Sequence, residues 1–485
     1  MSSRFSPVAL IVLSLAIFAF SHQSAAADDA ELRKALDAYI DARWLPESEA
    51  DKATEEIVKK IKDADCSIEK VEELLRMGRA TYGEVKAKGK MLNLQFKNKD
   101  GKAGQTLQLP LLELQCEHVD YSTSFFLIVP KSYKPSKPAP LLIIGHGGNS
   151  AMSAEYATQA TLGGTLPWLP IAQRHGMIVV APLSERGWGG IGYSIIFSLL
   201  SWTQRQFNID PDRIYLTGHS MGGHLSHRSA IFLPDRWAAV SPMSGGYDYV
   251  NEKHPKATRA MINVPGYATF GKKEPYDINK FNHIIDDWMQ KNKFDWINAE
   301  KPGGHEIYND ELPKIAKFMM DRPRNLYRDR VYGYASTSVV YDTPETNPKW
   351  SQQHTWNPDR PIQRSTFHWL RMYPTSSDVP EDKREQRIWA VYEGNNRFNL
   401  TSENARKARI YLHPKMVDFS KPIVVAVNGE TVFDAKVEPD MKTMLDLVRE
   451  FDDRSRIFHA AIDFDIATDA ENFPEPQGTG LKAGE

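Results

Sequence analysis

The chain has 485 residues, with 60 lysines and arginines against 62 aspartates and glutamates and a formal net charge of −2. That length holds two or three domains and a large buried core. Near-balanced charge with no basic run excludes a surface built to neutralise nucleic-acid phosphates.

In chain order, Arg4 precedes an apolar run from Val8 to Phe20, and the small residues Ala25-Ala26-Ala27 follow before Asp28-Asp29. A positive start, a short apolar core and an A-x-A ending describe a cleavable signal peptide over 1–27. Roughly thirteen apolar residues fall short of the ~20 that span a bilayer. No cysteine sits at the cleavage point and no later segment is apolar enough to cross. The mature protein is therefore expected to be secreted or periplasmic, without a lipid anchor or transmembrane segment.

Residues 28–90 read as helices. Leu32, Leu36, Tyr39 and Ile40 recur at helical spacing, as do Ile57 with Ile61 and Val71 with Leu74 and Leu75. Ser67 is a candidate N-cap. From Met91 the period changes to two, through Leu92, Leu94 and Phe96, and Tyr121–Pro130 is a further strand. Short apolar runs then alternate with helical segments. The strands are Leu141–Ile144, Met177–Ala181, Ile214–Thr217, Ala238–Ser241, Tyr267–Phe270 and Phe294–Ala299; the helices are Leu169–Arg174, Ile191–Phe207, Met221–Leu233, Ile278–Lys291 and Glu311–Met319. That alternation predicts an α/β fold: a mixed, mostly parallel sheet over 91–325 with helices on both faces. Over 330–467 strand-like runs return, with Asn428-Gly429 as a hairpin turn. A small β-sandwich-like domain is expected there, followed by a flexible polar tail over 468–485.

The chemistry centres on Gly218-His219-Ser220-Met221-Gly222-Gly223, between a β-prone run and a helix. This is the nucleophile-elbow pattern, a serine on a turn so sharp that only glycines fit around it. Three further features suit acyl transfer. The run Leu141–Ile144 ends in Gly145-His146-Gly147-Gly148, where backbone N–H groups of Gly147 or Gly148 can join that of Met221 as an oxyanion hole. Lys301-Pro-Gly-Gly-His305 follows the last strand, so His305 can reach over the sheet edge as general base. Between them, Gly271-Lys-Lys-Glu274-Pro-Tyr-Asp277 carries two carboxylates, of which Glu274 is favoured as the orienting acid and Asp277 is the alternative. His146, Trp188 and Tyr193 are candidate substrate contacts.

Residues from about Ser122 to Met320 resemble the α/β-hydrolase superfamily. The likeness is to its secreted poly(3-hydroxybutyrate)-depolymerase-like and feruloyl-esterase-like members and to prolyl-oligopeptidase-type catalytic domains. It is carried by Pro140-Leu-Leu-Ile-Ile-Gly-His-Gly-Gly, Asp210-Pro-Asp-Arg-Ile-Tyr-Leu-Thr-Gly-His-Ser-Met-Gly-Gly and Pro302-Gly-Gly-His. The acid loop departs from the family pattern, with Glu274 where an aspartate is usual. The resemblance implies a serine hydrolase without cofactor, acting on a small or polymer-derived ester. An oligopeptidase-type peptidase and a non-catalytic binding protein on the same fold are the alternatives.

His219, His224 and His227 tempt a metal reading, since His224 and His227 share a helix face, but nothing supplies that pair with a third ligand and an acidic partner in suitable geometry, and no metal is expected. Cys66 and Cys116, both in the exported part, are expected to pair, closing a loop worth about 4 kcal/mol on the chain-entropy model; two separate buried thiols are the alternative.

Overall fold

The structure, a computed structural model, describes residues 29–82, 88–97, 103–149, 151–246, 255–335, 339–340, 355–374 and 380–481. The expected signal peptide over 1–27 lies outside the described residues. No helix among them is long and apolar enough to cross a membrane.

Two compact units do not follow chain order: one joins the chain up to Tyr82 with Asp440–Ile457, and the other comprises Gly83–Pro439 with Phe458–Glu485. The first is helical: α1 (29–41), α2 (Glu47–Asp63), α3 (Ile68–Arg76) and a helix over Met441–Phe451. Ser67 caps α3, its hydroxyl accepting from the Lys70 N–H at 3.3 Å. Leu36, Ile57, Ile61, Val71 and Leu74 bury their stripes against Met444, Leu445 and Val448. Asp446 accepts hydrogen bonds from Tyr39 and Thr54 at 3.2 and 2.9 Å. That helix arises inside the stretch expected to be all β.

In the second unit, nine strands form one sheet among the described residues: β1 (Gly89–Lys97), β2 (Ala103–Gln115), β3 (Ser122–Ile128), β4 (Ala139–Gly145), β5 (Ile178–Pro182), β6 (Ile209–His219), β7 (Ala239–Met243), β8 (Gly266–Gly271) and β9 (Trp296–Lys301). Their order is β1-β2-β3-β5-β4-β6-β7-β8-β9. The first three pair antiparallel, β3 meets β5 antiparallel, and β4 through β9 run parallel. This is the α/β-hydrolase arrangement that the resemblance implies.

Strand β4 shows why the sequence makes this sheet. All seven of its residues are buried, because both faces are covered. Leu141 and Ile143 face the core shared with α6 (Gly190–Gln206), α7 (Met221–Phe232) and the helix Ile278–Lys291. Leu142 and Ile144 face the other core, with α4 (Ala154–Thr165), α5 (Leu169–His175) and the helix Leu312–Met320. The alternation of the strand thus divides one apolar run between two layers.

Beyond it, strands Arg330–Ala335, Gln386–Gly394, Arg397–Glu403, Ile423–Val427 and Glu430–Ala435 form one sheet, and Thr366–Phe367, Leu370–Met372, Lys407–Leu412 and Ala460–Asp465 another. Trp369 of the second meets Phe398 of the first edge to face, ring centroids 5.2 Å apart. Asn428 and Gly429 have φ of 51° and 87°, the left-handed pair that a two-residue hairpin turn needs.

Two expectations are corrected. The tail is not loose over 468–481: Gly478 and Gly480 donate to the carbonyls of Asn292 and Lys293 at 2.9 and 2.7 Å, and Phe473 packs on the core. Cys66 and Cys116 form no disulfide. They belong to different compact units; Cys116 is buried beside Ser194 and Ser198, and burial pushes its thiol up to about 12.

Candidate active site

Ser220 lies between β6 and α7 with φ 56° and ψ −114°, a strained conformation for a residue with a side chain. Neighbouring backbone holds it there. Its N–H donates to Met243 O at the end of β7 (2.9 Å), and its carbonyl accepts from the His224 N–H in α7 (3.0 Å). A Cβ on Gly222 would lie 2.6 Å from the carbonyl carbon of Gly145, so the glycine is what lets α7 start so close to β4.

His305 sits in the loop after β9. Its Nδ1 is 2.6 Å from Glu274 Oε2 and its Nε2 is 2.7 Å from Ser220 Oγ. A carboxylate can only accept, so Nδ1 carries the proton and Nε2 is left to accept from the serine. The Glu274 side chain is wholly buried, and its Oε1 accepts the Gly271 N–H at 3.0 Å. Burial works to raise its pKa, but the hydrogen bonds from His305 and the Gly271 N–H work against it, and the carboxyl is held below its ordinary value.

Two residues that sequence reasoning missed fix the His305 loop. Tyr308 donates its hydroxyl to Gly304 O at 2.5 Å, and Ser244 donates to Glu306 O at 3.1 Å. Neither lies in a recognisable pattern; only Ser244, one residue past a parallel strand, stands where ligand-facing residues gather. Asp277, the alternative acid, is exposed at the N-cap of the helix Ile278–Lys291, and its side chain makes no capping bond. Its φ of 58° turns it outward, so Glu274 alone of the two meets His305.

The loop after β4 approaches from the opposite side. A Cβ on Gly147 would lie 3.2 Å from that of Ser220. Met221 is the first residue of α7, where an N–H has no partner within the helix. His146 is not a substrate contact but fully buried. The Ser184 N–H donates to its Nε2 at 2.9 Å, so Nδ1 bears the hydrogen and donates to Gly147 O at 2.8 Å. Burial lowers its pKa to about 4, which keeps that tautomer neutral. Trp188 donates its indole N–H to His146 O at 2.9 Å and lines the site while nearly buried. Tyr193 does not reach the site: α6 turns it into the core.

The three histidines of the elbow go separate ways. The His219 ring lies 4.8 Å from that of His305, and burial, then the neighbouring His305, lowers its pKa to about 4. His224 lines the cavity, whereas His227 is buried against Trp296 at 6.0 Å and lowered to about 3 by burial. The serine and His305 open into a cavity of about 480 Å³, lined also by Gly148, Met221, Trp188 and Tyr276.

The Esterase family model matches residues 194–412, which include Ser220, Glu274 and His305. The chain is 29% identical over 138 residues to acetylxylan esterase A of Emericella nidulans, a match covering 26% of this chain and 42% of that one. It is 27% identical over 137 residues to a probable acetylxylan esterase A of Neosartorya fischeri, covering 25% and 35%. The chain thus spans less than half the length of these relatives. A thermostable esterase of known structure superimposes with a TM-score of 0.39 at 17% identity, covering 47% of this chain and 70% of its own.

Proposed function

We propose that this chain is an exported carboxylic ester hydrolase working through an acyl-enzyme on Ser220. The observation that carries the reading is the continuous hydrogen-bonded line from Glu274 through His305 to Ser220, open to a cavity at its serine end. As Oγ attacks the ester carbonyl, His305 Nε2 takes its proton, and Glu274 steadies the imidazolium that forms. The tetrahedral oxyanion is held by the N–H groups of Met221 and Gly148. Gly148 is favoured over Gly147 on geometry. His146 grips Gly147 O from the buried side, and in a trans peptide the Gly148 N–H points the opposite way, towards the cavity that Gly148 lines. His305 then protonates the leaving alcohol, and water returns through the same base to release the acid and restore Ser220.

The Esterase match and the acetylxylan esterase likenesses support an ester rather than a peptide, and a short acyl group on a sugar or polymer-derived alcohol. Export is supported by the N-terminal pattern of charge, apolar run and small residues. A panel of acetyl, butyryl, feruloyl and dipeptidyl chromogenic substrates tests the reading. Acetyl or feruloyl ester cleavage that disappears in Ser220→Ala is expected. Cleavage of the dipeptidyl amides alone would replace it with a peptidase.

A further inference from the structure

Tyr276 stands apart from every other aromatic described. It is 88% exposed, where the next large apolar side chains, Met91 and Tyr156, reach 54%. Its φ is 60° and that of Asp277 is 58°, so two successive non-glycine residues hold the left-handed conformation. For a bulky side chain that is a true outlier, and such strain persists only where the surroundings impose it.

Here they do, on both sides. Two residues before, Glu274 is tied to Gly271 and His305. Two residues after, the helix Ile278–Lys291 begins on a buried Ile278, with the Phe281 N–H donating to Asp277 O at 3.0 Å and Asn279 Nδ2 to Lys272 O at 3.1 Å. The backbone is therefore clamped while the ring makes no hydrogen bond or ring contact among the described residues. The clamps act on the backbone, and none of the described hydrogen bonds or ring contacts involves the side chain itself. Yet the ring lines the same cavity as Ser220 and His305.

We propose that Tyr276 is a stacking platform for the substrate, taking the flat face of a ring carried by the ester bound at Ser220. An exposed aromatic face on a rigid backbone offers dispersion and C–H···π or π contacts at little entropic cost. A pyranose and an aryl group share that chemistry. The proposal rests on the ester-hydrolase reading and names the substrate feature it selects.

The test separates the two. Ser220→Ala protein, which retains ligand without turning it over, is titrated calorimetrically with an acetylated xylo-oligosaccharide and with methyl ferulate. At least one is expected to bind, and adding Tyr276→Ala should weaken that one about two- to twelvefold, whereas Tyr276→Phe and Tyr276→Trp should not. In the Ser220 enzyme, Tyr276→Ala should lower kcat/KM for the same ester by that factor more than for ethyl acetate, which has no ring. Loss with the sugar alone assigns a pyranose, and loss with the ferulate alone an aryl group. Tyr276→Gly, which relieves the backbone, should leave Tm unchanged or raised. Equal losses on ethyl acetate and the ring ester, no binding of either ring ligand, or a Tm several degrees lower in Tyr276→Gly would overturn the platform. Failure of the wild-type protein to hydrolyse any ester would instead remove the underlying activity, leaving the calorimetry to decide on Tyr276 alone.

Discussion

His305 spends both ring nitrogens on one line of hydrogen bonds, at 2.6 Å to Glu274 and 2.7 Å to Ser220, so the three act as a unit. Ser220→Ala and His305→Ala are each expected to cost orders of magnitude in kcat, with the double variant little worse. Additive losses would contradict that. Glu274→Gln keeps shape but not charge, and should lose ~10³–10⁴ in kcat; Asp277→Asn, at an exposed cap position without a capping bond, should be nearly normal. His146→Phe removes the bond that orients the Gly147–Gly148 peptide and the Ser184 bond that holds the imidazole for it, so kcat should fall about ten- to a hundredfold with KM little changed. Of this site, Ser220, His305 and Glu274 were legible because chemistry demands those residue types beside glycines at strand ends. Ser244, Tyr308 and Tyr276 were not. Their roles depend on partners brought together by folding, or on a backbone angle that carries no sequence pattern for a serine or tyrosine.

At the scale of elements, the elbow works only if α7 can begin against β4. Gly222→Ala places a methyl group into the Gly145 backbone, and backbone cannot yield as a side chain can. It should destabilise the protein by about 1–3 kcal/mol or more and depress kcat, read by denaturant midpoint and rate together. The central parallel strands β4, β5, β7 and β8 were visible as apolar runs because burial on both faces removes polar alternation. α4 was missed, since Ala154–Thr165 holds two glycines and three threonines and a weak apolar stripe; its Ser153 cap, accepting from the Tyr156 N–H at 3.2 Å, was the available signal. The helix Met441–Phe451 has a strong stripe and an Asp440 cap, yet it was hidden by the run of strands on either side. The tail's polar, glycine-containing composition resembles that of a mobile end. Its backbone bonds to Asn292 and Lys293 are invisible to composition.

For the whole molecule, burial keeps His146 and His227 neutral, with pKa lowered to about 4 and about 3. An unfolded histidine titrates near 6.5, so below that pH the unfolded chain binds more protons than the folded one. Their contribution is complete above about 6.5 and is lost as pH falls through the folded values, at up to about 1.4 kcal/mol per pH unit for each group. Tm should therefore decline from pH 6.5 to 4, and His227→Phe should make the decline shallower; an unchanged profile would contradict the assignment. Alkylation without reductant should find two thiols, with Cys116 reacting only on unfolding because it is buried and its thiol pushed up to about 12. The most direct test of the proposed activity is covalent. A fluorophosphonate incubated with the full mature chain should add one adduct, mapped by mass spectrometry to Ser220. It should be absent in Ser220→Ala and form far more slowly in His305→Ala. Ester turnover that persists in Ser220→Ala, or an adduct on another residue with Ser220 unmodified, would contradict the account.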